Sequence, residues 1–204
     1  MKKGLMILTM FMLHNVMAFS QVSPLEGYTV RVQQKINLFQ TYLDFICKKE
    51  KYSSIEQSND AMRNKETYIR EALKLFMGEN NPFIDEKGDT LIASPPRARI
   101  CTILKNGTYY EREIPLKHFL HKMKYHPCDS IYVESVIAFY PVHIQEVDEN
   151  DCLITMERRR FPIREDLRVC SPQTIILRLK KQIVDGRIIW PVFLDDITLI
   201  ANRK

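Results

Sequence analysis

The chain has 204 residues, 45% hydrophobic and 27% charged, with a formal net charge of +5. That is enough for one packed domain or a small pair. Six glycines and ten prolines exclude collagen-like and glycine-rich low-complexity chains, and the apolar content argues against disorder.

The first twenty residues read as an export signal. Lys2 and Lys3 give a positive start, and Leu5 to Phe19 is an apolar run broken only by Thr9, His14 and Asn15. Ala18-Phe19-Ser20 then places small residues at the −3 and −1 positions, so cleavage is expected between Ser20 and Gln21. A membrane-spanning helix needs about 20 apolar residues, and this run is shorter and interrupted. No other stretch is long or apolar enough to span, and no cysteine sits at the cleavage site to take a lipid. Removing residues 1–20 leaves 28 basic against 25 acidic residues, a net charge of +3. That field is weak for steering any partner. All five cysteines (Cys47, Cys101, Cys128, Cys152, Cys170) remain. The odd number leaves one thiol free or paired between chains, and buried free thiols are the favoured reading for most.

Residues 21–204 read as one domain. Ile36, Phe39, Leu43 and Ile46 recur at helical spacing, with Gln33, Gln34, Lys35, Gln40, Lys48 and Lys49 assigned to the solvent side. A second helix carries Ile69, Ala72, Leu73 and Phe76, ends at Gly78, and starts from the capping box Ser53-x-x-Glu56. Residues 79–96 are rich in turn signals and are expected to form a long loop. The strands Arg97–Leu104 and Thr108–Ile114 flank Asn106-Gly107, a strong hairpin signal. Pro115 opens a short helix with Leu116, Phe119, Leu120 and Met123 on one stripe. Ser130–Tyr140 alternates as a strand, and Val142–Val147 and Cys152–Phe161 flank a polar turn. Thr174–Val184 and Arg187–Ile200 flank Asp185-Gly186, predicting a closing hairpin with Trp190 as a core anchor.

This order predicts an α+β fold. Two N-terminal helices and one short helix pack on a curved antiparallel sheet of about six strands, like a cone. The order of elements over residues 30–200 resembles the nuclear-transport-factor-2-like superfamily. So does the closing segment from Val184-Asp185-Gly186-Arg187 through Trp190-Pro191-Val192 to Ile197. The resemblance implies a hollow at the wide end of the cone, without specifying a catalytic set.

Three constellations carry potential chemistry. His118-x-x-His121, with His126 and Cys128, has the spacing of a metal site, but Lys117, Lys122 and Lys124 surround it and disfavour a dication. No metal or other cofactor is expected. Arg158-Arg159-Arg160, with Arg164 and Arg168, offers oxyanion recognition, against the commoner reading of a solvated sheet edge. His143 could meet Tyr132, Glu134 or Arg178 inside the cone. A His143–Glu134 pair would support acid–base work. No nucleophile elbow, phosphate loop or zinc-helix motif occurs.

The sequence therefore predicts an exported, non-catalytic domain, periplasmic or extracellular, that binds a small apolar ligand or a protein. A small cone-fold isomerase- or hydrolase-like enzyme using His143 and Glu134 is one alternative. A structural subunit of an envelope or surface assembly is another. Nucleic acid is not an expected partner, no span crosses the membrane in the mature chain, and a homodimer stays open.

Overall fold

The computed structural model describes residues 24–78, 83–91, 94–104, 107–126, 130–163 and 173–202. Helix α1 spans Pro24–Cys47, α2 Ile55–Leu73 and α3 Leu116–Tyr125. The strands are β1 Phe83–Asp85, β2 Thr90–Leu91, β3 Arg97–Ile103, β4 Tyr109–Pro115, β5 Ser130–Glu146, β6 Asp151–Pro162, β7 Thr174–Lys180, β8 Gln182–Val184, β9 Arg187–Ile189 and β10 Phe193–Asn202. The main sheet runs β2-β1-β7-β6-β5-β10-β3-β4, and β8-β9 form a separate ribbon. The result is an α+β cone, three helices lying on a curled sheet.

Two strands beyond the expected six come from the segment read as a loop. Within residues 79–96, β1 and β2 pair and extend the sheet from β7. The signal is local: Asp85 Oδ1 accepts the backbone N–H groups of Lys87 and Asp89, and Gly88 turns at φ +94°. Such side-chain capping organises a tight turn, which the breaker residues alone did not distinguish from open loop.

The closing hairpin is also different from expectation. Asp185 (φ +50°) and Gly186 (φ +71°) make the tight turn, but it joins only β8 and β9. Strands β7 and β10 do not pair. Instead β7 joins β6, while β10 lies between β5, antiparallel, and β3, parallel. Trp190 sits half-buried between β9 and β10 rather than on a core strand.

Expected separate strands at Ser130–Tyr140 and Val142–Val147 are one element, β5. Pro141 lies at a register shift opposite Met156 and beyond the last β10 partner, Phe139. Its missing N–H therefore removes no bond to β10. Ser135 to Pro141 are all buried. Two clusters cause this. Ala138 and Tyr140 join the main core with Phe39, Leu43, Ile69, Phe76, Phe119 and Leu120, while Phe139 joins Cys152, Ile154, Met156 and Leu177. Alternating side chains of one strand thus enter clusters on opposite faces.

Helix α2 starts one residue later than the expected box. Ser54 is the cap and accepts from Gln57 N, and Gln57 Oε1 in turn accepts from Ser53 N. The box is Ser54 with Gln57.

Helix α1 is fastened to the sheet by a residue assigned to the solvent side. Gln40 Nε2 donates to the Ile131 carbonyl at 3.1 Å, and its Oε1 accepts from Val133 N at 3.0 Å. Strand β6 ends opposite Ser135, so among the described residues this edge of β5 has no strand partner further on. The Gln40 amide replaces it. Leaving a buried backbone group unpaired costs about 1–3 kcal/mol. Gln40→Leu is expected to lower stability by roughly 2–4 kcal/mol through both lost bonds. Thermal unfolding checks this, and Phe76→Ala serves as a core reference at about 3–5 kcal/mol.

Candidate functional site

The structure separates the expected acid–base pair. Glu134 and His143 lie nine residues apart on β5, about 30 Å at the strand rise of ~3.3 Å per residue. Glu134 sits at a bulge, since Ser135 pairs with Thr198 and Val133 with Leu199. His143 is exposed beside Thr155. The histidines on α3 do not converge either. His121 Nδ1 is 3.7 Å from Glu66 Oε2, which also holds Lys124 Nζ at 2.8 Å, while His118 and His126 are exposed. Among the described residues no three His, Cys, Asp or Glu side chains form a metal-sized group. Ser20, Gln21, Cys128, Arg164, Arg168 and Cys170 lie outside the described residues.

The arginine run is not one solvated edge. Arg158 reaches across the sheet to β10, with Nε 2.9 Å from Asp195 Oδ2 and Nη2 3.3 Å from Asp196 Oδ2. Arg160 Nη1 donates to Ser135 Oγ at 3.1 Å. Asp195 and Asp196 form a bulge, because Leu194 pairs with Ala138 and Ile197 with Val136. Burial pushes the Asp195 carboxyl up to about 6, Asp196 adds to this, and Arg158 opposes it. Alternating strand residues carried no sequence signal for this triad, since β10 was expected to pair elsewhere.

Among the described residues a hollow occurs between two helices. A groove of about 440 Å³ separates the end of α1 from α2. Its apolar wall is Phe45 and Tyr68, stacked at 4.8 Å with 13° between their planes, with Tyr52 opposite. Phe45 follows the apolar stripe of α1 and is left partly exposed where α2 diverges. The polar floor is internally satisfied. Lys65, a buried cation of α2, donates to the Lys48 carbonyl at 2.7 Å, where the negative end of the α1 dipole favours it. Lys48 Nζ lies 3.0 Å from Glu50 Oε1, and Tyr52 OH donates to Glu50 Oε2 at 3.3 Å. Asp60, Asn64 and Gln57 add further polar groups. A flat apolar body fits against Phe45 and Tyr68, while Asn64 and Gln57 supply hydrogen bonds at its edge. The sequence holds these aromatics in plain view, yet only the divergence of α1 and α2 makes them a groove.

No family model and no curated protein matches the chain. Among solved structures, similarity extends to a protein of Novosphingobium aromaticivorans assigned as the beta subunit of an aromatic-ring-hydroxylating dioxygenase. Identity is 13%, over 74% of this chain and 89% of that one, with a TM-score of 0.21. An NTF-2 like protein of unknown function from Shewanella oneidensis is 9% identical, over 72% of this chain and 95% of that one, with a TM-score of 0.17.

Asp195 makes stability pH-dependent with a defined sign. Its folded carboxyl titrates near 6 against 3.8 unfolded, so the native state binds more protons between those values. Stability contributed by this group therefore falls as pH rises through that window, and the full penalty is present above about pH 6. Urea unfolding at pH 4 and pH 7 is expected to show this fall in the wild type. In Asp195→Asn it is flattened. An equal slope in both proteins counts against the assignment.

Proposed function

We propose that the protein is an exported, non-catalytic binding domain whose α1–α2 groove holds a small molecule with a flat apolar body. The groove itself carries the reading: about 440 Å³, walled by Phe45, Tyr52 and Tyr68, with Lys48 paired to Glu50 and Lys65 held by the Lys48 carbonyl. With Lys48 and Glu50 paired and Lys65 already donating to a carbonyl, the floor favours an uncharged or zwitterionic ligand over a strongly charged one. Against the enzyme alternative, His143 and Glu134 stand at opposite ends of β5 and cannot share a proton. Among the described residues no helix is long and apolar enough to cross a membrane. Export rests on the Lys2-Lys3 start, the apolar run and the Ala18-Phe19-Ser20 exit.

Native mass spectrometry of the protein purified from its own host tests the binding reading. The expected result is a retained small molecule that is lost in Ala61→Phe, which fills the groove, with folding unchanged by circular dichroism. Retention of the same molecule by Ala61→Phe contradicts the groove. Amino-terminal sequencing of the same material is expected to begin at Gln21. A start at Met1 would contradict cleavage.

A further inference from the structure

A second feature of α1 is not explained by the groove. Arg31 and Lys35 stand one helical turn apart and both face the half-buried segment between β9 and β10. Residues at this spacing place their Cβ atoms ~6 Å apart. Arg31 Nη1 donates to the Trp190 carbonyl at 3.1 Å, and its guanidinium lies 5.7 Å from the centre of the Tyr28 ring. Lys35 Nζ lies 5.5 Å from the centre of the Phe193 ring. Neither cation has an ion-pair partner among the described residues. Other cations that reach across the fold do meet carboxylates: Lys124 meets Glu66, and Arg158 meets Asp195 and Asp196.

The cost is concentrated on Lys35. Burial lowers its affinity for a proton, and no neighbouring carboxylate offsets that. A desolvated ammonium without a counter-charge is destabilising in the free protein, and an incoming anion relieves it. Arg31 spends one donor on Trp190, and a guanidinium has five in a planar fork suited to a carboxylate. Beside the two cations stand the rings of Tyr28 and Phe193, each partly buried and each retaining accessible surface, and Trp190 adjoins them through its backbone carbonyl.

We propose that Arg31 and Lys35 form an anion site for a small aromatic carboxylate, its carboxylate held between the two cations and its ring against Phe193, next to the Trp190 backbone. This site is separate from the α1–α2 groove and does not rest on it. It also gives a role to Lys35, which the helical pattern assigns to the solvent side.

Trp190 is the only tryptophan in the chain, so its emission reports this site directly. Titration of the folded mature protein with benzoate is expected to give a saturable change in that emission. Benzamide, with the same shape and no charge, is expected to bind at least tenfold more weakly. Arg31→Met and Lys35→Met are each expected to weaken benzoate tenfold or more, while Ala61→Phe leaves it unchanged. Lys35→Met is also expected to melt at a higher temperature than the wild type without ligand, since it removes an uncompensated cation. The proposal is overturned by no saturable response to millimolar benzoate, by equal affinity for benzamide, or by wild-type affinity in Lys35→Met. A lower melting temperature for Lys35→Met also overturns it, because the lysine would then be serving the fold.

Discussion

The insertion of β10 between β5 and β3 is the constraint on which the rest of the molecule depends. This strand arrives last in the chain yet occupies the interior of the sheet, antiparallel to β5 and parallel to β3. Its start is paired on the other side by the end of the second helical segment. Met77 N donates to the Leu194 carbonyl at 2.7 Å and Leu194 N to the Leu75 carbonyl at 3.0 Å. Pairing then passes to β3 at Ile197. The bulge at Asp195 and Asp196 falls where one partner gives way to the other, and Asp196 Oδ1 accepts the first β3 amide, Arg97 N. Bulges bend and twist a strand locally, which is what a sheet curling around helices requires. Arg158 fastens the bend from β6, two strands away.

Much of this was legible in the sequence because local periodicity and burial agree there. The stripes Ile36–Phe39–Leu43–Ile46 and Leu116–Phe119–Leu120–Met123 are buried as helical spacing requires. Alternation and turn signals also located β3, β4, β6 and the Asp185-Gly186 turn. What local signals could not carry was the identity of the strand partners. A tight turn says that two strands meet at the turn, and here the ribbon ends after three residues on each side. The chain then crosses to a distant place in the sheet, a choice made by the apolar faces of β10 and not by the turn. Pro141 misled for a related reason: a proline interrupts a strand only where its N–H is needed, and the register at that point does not need it.

Polar residues were the least legible of all. Gln40 and Lys35 look like solvent-side positions of an amphipathic helix, because a helical wheel weighs polarity and ignores neighbours. In the fold Gln40 completes the open edge of β5, and Arg31 and Lys35 lean over the entry to β10. Helix α1 therefore does more than cover the core. One polar residue fixes its position on the sheet, and two cations a turn or more earlier are left without counter-charges at a ring-lined surface. The histidines and the arginine run are instead held by carboxylates or a serine hydroxyl, or left exposed. Both sites proposed above lie along α1, one at its far end against α2 and one nearer its start beside Phe193.

Amide hydrogen exchange along β10 tests the central claim most directly, because exchange protection follows the stability of the pairing that holds each amide. With β10 wedged between two neighbours, the amides of Ile197 to Ala201 exchange as slowly as those of Val136 to Tyr140 on β5, and far more slowly than those of β8 and β9. Exchange of the Ile197–Ala201 amides at the rate of the β8–β9 ribbon would contradict the account.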